Sequence, residues 1–473
     1  MTRRLGALLA LELRTQWRQR IPAVMLGLAA FWSGLLLLLP TRAGQVATPY
    51  LLFLDIMTVG TLFAGALTVT DRSTGVAAAL RVSPARTWER LMARLAPLAV
   101  LTTLSAVPVL VAGRRTAHMG AGLAAIALAG LLLLAIAAGV ASRKDDFVRF
   151  IVALSGPMVL LFAVPLAVSI GLLTGPLWYA TPTTGAIMLL RGGFPYPAGV
   201  LLGYLALWAA AALGYATWRL RSSQDVAPGR SAVHVRVLRT RPRWLVFPRA
   251  DLRNITRDSM LAIVALSPLL LALTLRFGYP PLAAWLQSAR GVDLTPYEPV
   301  LTMLVVAVHV PFAYGMTGAL IVLDDLEAGT LTVVRTSPLG IARYLTYRLT
   351  AVTLLAAAGL AVAAPLSGLV PAYATGAILL AAPLAPLVTL ATLAVARSRV
   401  QGATADKLLA LPVYLPLAAW WLPGPAGWLL APFPTYWIVR SWPDTVTTHL
   451  LAGLACLTAW LIPLTHRVIR RLG

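Results

Sequence analysis

Apolar runs of roughly 18–26 residues follow one another along the chain, separated by short polar breaks rich in Gly, Pro, Arg and Asp. A helix needs about 20 such residues to cross a bilayer core, whereas a barrel strand needs only about ten, alternating in polarity. The runs therefore predict helical spans near 21–39, 50–70, 91–112, 118–141, 148–173 and 197–218. A second set is predicted near 260–277, 299–323, 344–370, 372–396, 407–422 and 447–466. Between the sets stands "RLRSSQDVAPGRSAVHVRVLRTRPRW", too charged to enter a membrane. The expectation is an all-α integral membrane protein of about 12 transmembrane helices. Its halves, 1–218 and 249–473, are joined by a basic cytoplasmic linker at 219–248.

The halves also resemble each other. "TDRSTGVAAALRVSPARTWERLMARL" and "LDDLEAGTLTVVRTSPLGIARYLTYRL" superpose at one constant offset, which pairs Asp71 with Asp325, Gly75 with Gly329 and Arg81 with Arg335. The same offset pairs Ser83 and Pro84 with Ser337 and Pro338, and Arg94 with Arg348. Six spans return each half to the side on which it began, so the duplication predicts parallel repeats about an axis along the membrane normal. Before the first span of each half, an acid is followed by Leu-Arg and another Arg: Glu12, Arg14, Arg18 and Asp251, Arg253, Arg257. In 5–20, Leu5, Leu8, Leu9, Leu13 and Trp17 keep helical spacing, the pattern of an amphipathic helix at the membrane interface. Late in each half a Pro-Thr pair closes an aromatic stretch, "WYATPTTG" and "LAPFPTYW", read as an interfacial or re-entrant segment.

Composition sharpens this picture. Hydrophobic residues make up 59% of the chain and charged residues 12%, with a mean hydropathy of +0.81. A soluble domain carries roughly 25% charge, so a water-soluble enzyme or binding module is excluded. The net charge of +23 raises the question of a nucleic-acid partner. Its distribution answers it. With the N-terminus inside, only Arg42, Arg114, Arg115, Arg191, Arg276, Arg290 and Arg440 of the 39 basic residues fall outside. That asymmetry is the positive-inside rule, with anionic lipid headgroups as the contact; no nucleic acid is expected. Both termini are expected to be cytoplasmic, in a multi-pass protein of the cell membrane. The basic start lacks a short apolar core with a small-residue cleavage site, so no removable signal peptide is expected. Cys456 stands alone and excludes an intrachain disulfide.

Both duplicated loops fall on the inner side, between the second and third spans. Ser before Pro reads as a helix start, with Ser as cap and Pro at the first position, and the preceding Gly as a turn. Each loop is then helix, turn and short cytoplasmic helix. The plain reading is an ordinary connection; the sharper one is a docking element. "DDLEAGTLTVVRTSPLGIARYLTYRL" resembles the coupling loop of type-2 ABC exporter permeases, through Asp325, Glu327, Gly329, Thr330, Leu331, Ser337, Pro338, Tyr344 and Arg348. "DLRNITRDSMLAIVALSPLLLALTL" similarly resembles that family's interface helix entering its first span. In the first half the corresponding coupling residues are Asp71, Arg72, Gly75, Ser83 and Pro84, with Ser73 and Val76 where the second half has Glu327 and Thr330.

The resemblance implies a permease subunit with two six-span halves in one chain, exporting cargo with ATP hydrolysed elsewhere. A phosphate-cradling loop needs G-x-x-x-x-G-K-[ST], and neither Lys144 nor Lys407 follows a Gly. The chain is thus expected to be no enzyme and to hold no cofactor. ATP and magnesium belong to two cytoplasmic ABC ATPase subunits, expected as a homodimer. A rival is a secondary transporter of the major facilitator kind, whose loop signature "GALTVTDRSTGVA" nearly matches; another is a lipid-linked glycosyltransferase using Asp55, Asp293, Glu298 or Asp444. Within the spans, Thr61, His309, Tyr314 and Thr317 are candidates for a cargo pathway, since an intramembrane ionisable group is a functional candidate by default. The same residues also serve as plain packing hydrogen bonds. No His, Cys and carboxylate cluster resembles a metal site. The expected cargo is hydrophobic or amphiphilic: a drug, a lipid or a peptide.

Overall fold

In an apolar setting each backbone N–H and C=O must find a partner within its own segment, which favours helices. Every regular element among the described residues is helical. The computed structural model describes residues 2–38, 41–73, 75–76, 79, 83–115, 119–144, 147–192, 196–222, 259–291, 293–338, 340–422, 424–443 and 446–473. The linker from 223 onward, Arg81 and the interface residues Asp251, Arg253 and Arg257 lie outside those residues. The chain divides into two units, Met1–Leu238 and Arg239–Gly473.

In the first unit the helices are α1 (Thr2–Arg18), α2 (Ile21–Leu38), α3 (Thr41–Leu51), α4 (Met57–Ser73), α5 (Thr87–Ala112), α6 (Met119–Ala141), α7 (Phe147–Ser169), α8 (Pro182–Arg191) and α9 (Ala198–Ser222). A π-helical segment, Leu52–Ile56, joins α3 to α4. The centre is α6, which packs against α4, α5, α8 and α9. Between lipid-facing helices no water is expelled, so close van der Waals fit does the work and small residues permit it. At Gly139 a Cβ would lie 2.6 Å from the Tyr215 ring of α9, so only glycine allows that approach.

The predicted interface helix is α1, which meets α2 at a bend of 61°. Its inward face differs from the apolar stripe that spacing suggests. Gln16 is buried and Glu12 half-buried, while Leu13 and Trp17 are 53% and 74% exposed. The helix grips its own unit with polar groups and turns its largest apolar side chains outward, as an interfacial helix would toward lipid.

The second unit contains α10 (Ser259–Arg290), α11 (Glu298–Thr302), α12 (Val310–Glu327), α13 (Thr330–Thr336), α14 (Gly340–Ser367), α15 (Thr375–Ala381), α16 (Leu384–Val395), α17 (Arg399–Tyr414), α18 (Pro434–Arg440) and α19 (Thr447–Leu472). A π-helical segment, Met303–His309, joins α11 to α12. Here α12 and α16 form the centre, and the buried Thr389 hydroxyl donates across to the Gly315 carbonyl at 2.8 Å.

Among the described residues ten helical runs are long and apolar enough to cross a membrane, or eleven when the bent α1–α2 pair is taken as one. The sequence suggests twelve. The difference lies at 407–422, where Pro412 and Pro416 leave the 16-residue α17 followed by a 3-10 segment, Leu415–Trp420. Elsewhere α10 runs past the predicted end at 277 through Pro280 and Pro281 to Arg290. The two Pro-Thr stretches form α8 and α18, of 10 and 7 residues. At 1.5 Å per residue neither spans more than about half of a ~30 Å core. Both begin at the Pro, and Thr183 donates to the Leu161 carbonyl at 2.6 Å.

Candidate functional site

The second duplicated loop starts where α12 ends. The Ala328 N–H bonds to Asp324 O at 2.8 Å, and Gly329 then takes φ 75°, a left-handed conformation that glycine adopts without a Cβ penalty. This turn sends the chain into α13, whose Leu331 and Val334 are buried while Val333 is 69% exposed. Gly75 takes the same left-handed turn, φ 79°, in the first half. The expected order of helix, turn and short helix is present in the second loop. The Ser-Pro pair, however, follows the short helix and does not begin it. Ser337 closes α13, its hydroxyl donating to the Val334 carbonyl at 2.8 Å. Pro338 then leads toward α14.

The acidic residues of this loop are tied to the chain itself. Asp325 accepts from Arg348 Nη2 at 2.8 Å and from the Tyr344 hydroxyl, and Arg348 Nε donates to that hydroxyl at 3.1 Å. Arg348 is 7% exposed, and its guanidinium also lies 5.2 Å from the Tyr344 ring centroid. Glu327 accepts from the backbone N–H of Arg399 at 2.9 Å, while the Arg399 side chain pairs with Asp324. Arg335 on α13 donates to Leu472 O at 2.6 Å, fastening the short helix to the end of α19. The exposed part of the loop includes Glu327, Ala328, Gly329, Thr330, Thr332 and Val333, and continues through Arg335, Thr336 and Pro338.

In the first half the same two positions pair again. Asp71 meets Arg94, and Arg94 also donates from Nε and Nη2 to Glu12 Oε1 at 3.1 and 2.7 Å. Gln16 of α1 adds a bond from Nε2 to Arg94 O at 3.2 Å. One guanidinium thus joins α1, α4 and α5, and brings the predicted interface-helix residue Glu12 together with the predicted loop residue Asp71. Arg14 and Arg18 are exposed on the far face of α1. Arg72 donates to Ser142 O at 2.6 Å, and Ser83 and Pro84 form the bend before α5. Arg86 and Glu89 then open that helix with a capping box.

Inside the second unit, His309 ends the π segment and its Nδ1 lies 2.9 Å from Tyr414 Oη on α17. Thr61 and Thr317 are buried and donate to their own helices, at Met57 O and Ala313 O. Tyr314 is buried against Gly359 of α14. Each of the four is thus held by groups of its own unit. Two polar contacts escaped the sequence reading. Trp32 Nε1 donates to Asp55 at 2.6 Å in the first π segment. Asp406, 3% exposed, accepts from the Thr392 hydroxyl. A lone acid at the edge of an apolar run was the available signal for each.

These features describe a multi-pass, all-helical membrane protein with a tethered loop in each half. The chain belongs to the fluoroquinolones export permease protein family. Residues 3–216 match the fluoroquinolones export permease protein family, and residues 251–465 match the family described as fluoroquinolones export permease protein Rv2686c-like. The chain is 32% identical over 224 residues to fluoroquinolones export permease protein Rv2687c of Mycobacterium tuberculosis, covering 44% of this chain and 91% of the relative. It is 27% identical over 208 residues to Rv2686c of the same organism, covering 42% of this chain and 82% of the relative. No solved structure matches the chain.

Proposed function

We propose that this chain is the permease of an ATP-driven ABC exporter, with two membrane halves carried in one polypeptide. The observation that carries this reading is that each half matches a permease family by itself. The halves meet at the basic linker, with boundaries at 1–218, 219–248 and 249–473. Two cytoplasmic ATPase subunits bind ATP and magnesium. This chain's own lysines, Lys144 and Lys407, stand outside any glycine-rich phosphate loop. The cargo is a flat amphiphile of the fluoroquinolone class, moved out of the cytoplasm across the cell membrane, with both termini inside.

The docking surface toward the ATPases is the exposed part of the second loop, with Val333 on α13 at its centre and Glu327 and Thr330 beside it. Asp325 supports that surface indirectly by holding the second span of its half to the third, as Asp71 does within the first half. An apolar anchor at a desolvated contact contributes about 2 kcal/mol or more, and an exposed charge under about 1. Val333→Asp is therefore expected to abolish co-purification of the ATPase and cargo-stimulated hydrolysis, and Glu327→Ala to weaken both slightly. Proton-driven efflux by the chain alone, without any ATPase, would overturn the reading. Orientation is tested on a Cys456→Ala background with Ser222→Cys and Gln287→Cys. An impermeant thiol reagent outside intact cells is expected to label position 287, and labelling at 222 instead would reverse the topology.

A further inference from the structure

The two π-helical segments occupy the same place in the repeat. At the offset that pairs Asp71 with Asp325, the segment Leu52–Ile56 overlies the second half of Met303–His309, and Asp55 falls on His309. Both segments interrupt the second span of their half, on the order of 24 Å along the helix from the loop aspartate. A π turn is a poorer hydrogen-bonding arrangement than an α turn and persists mostly at functional sites. In the first segment the Met57 N–H reaches back to Leu52 O, and Thr58 Oγ1 donates to the Leu54 and Asp55 carbonyls at 2.8 and 2.9 Å.

The residues at the shared position have opposite chemistry but similar settings. Asp55 is half-buried and accepts from Trp32, whose ring packs edge-on to Phe31 at 5.2 Å. Beside it Leu54 is 44% exposed. His309 is half-buried and bonded to Tyr414, whose ring packs edge-on to Phe312 at 5.4 Å. In each half a half-buried ionisable group is therefore oriented by an aromatic side chain, where a purely structural hydrogen bond needs no ionisable group at all. An intramembrane ionisable residue is costly to keep without a use.

We propose that the π segment of the second span is the cargo-contacting point of each half, and that its ionisable residue sets the charge accepted there: a protonated amine at Asp55, a carboxylate at His309. This rests on the cargo class proposed above. A fluoroquinolone is a flat fused ring with a carboxylic acid and, in many members, a secondary amine, so it offers both groups and an aromatic face.

The test is equilibrium dialysis of the full chain in nanodiscs against three probes: a fluoroquinolone with a free piperazine amine, its N-acetyl derivative and its methyl ester. Asp55→Asn is expected to weaken binding of the parent and the ester roughly tenfold and leave the N-acetyl compound unchanged, the weight of one charge-assisted hydrogen bond. His309→Gln, which keeps a partner for Tyr414, is expected to weaken the parent and the N-acetyl compound and spare the ester. Asp55→Glu retains the charge and is expected to retain the discrimination. Binding losses equal across the three probes, or none, would overturn this assignment alone. No binding of any probe by the unaltered chain would overturn the cargo class and the assignment with it.

Discussion

The two halves build the same joint on an arginine of the third span. In the first, Arg94 of α5 is shared between two carboxylates, Asp71 and Glu12, on two other helices. In the second, Arg348 of α14 meets Asp325 and, among the described residues, the hydroxyl of Tyr344 on its own helix. Duplication kept the Arg-Asp pair that closes the loop between the second and third spans. Glu12 brings the interface helix into the first joint through charge, and Tyr344 adds a neutral hydroxyl to the second from one turn away. The shared Arg-Asp pair is thus the hinge of the loop.

The largest expected effect is from removing the cation. Arg348→Ala removes the cation paired with the half-buried Asp325, and breaking such a pair costs about 3–5 kcal/mol; a clear fall in the thermal unfolding midpoint of the purified chain is expected. An unchanged midpoint would mean that the joint carries no stability. Arg→Lys then separates the halves. An ammonium can still bridge two carboxylates at position 94, but it lacks the planar fork that reaches both Asp325 and Tyr344 at 348. Arg348→Lys is expected to cost about 1 kcal/mol more than Arg94→Lys, and equal costs would break the contrast. Tyr344→Phe removes one buried hydroxyl from a charged network, about 1–2 kcal/mol, with no effect on the first half. Smallest is Glu12→Gln, which keeps the geometry around Arg94 and reduces only its charge. It is expected to loosen α1, read as faster amide exchange over 2–18 with little change in the midpoint.

The spans were legible because twenty-residue apolar runs admit few alternatives. The repeat was legible because turn residues and charges stayed in register while the apolar residues drifted. What spacing could not reveal was how α1 is held. An amphipathic wheel ranks Leu13 and Trp17 as its buried face, yet with lipid outside, apolar residues turn outward and Glu12 and Gln16 turn in. Ser337-Pro338 reads equally well as a helix start or as the end of a preceding short helix, and the left-handed Gly329 decided for the latter by starting α13 early. At 407–422 hydropathy sees a run while Pro412 and Pro416 divide it. The loop acids looked like outward-facing contacts because sequence shows a charge but not its partner: Arg348 lies beyond the next turn of chain.

The π segments have a consequence for the loops far below them. One residue more or less advances a helix by about 100°, so an inserted residue acts as a phase shift on everything that follows it. The register at which Asp71 and Asp325 meet their arginines is therefore set partly upstream, between 52 and 56 and between 303 and 309. Deleting a single residue within either segment would restore a regular α-helix and rotate the aspartate away from Arg94 or Arg348. In this chain the angular setting of the inner loop is written near the opposite end of the same helix.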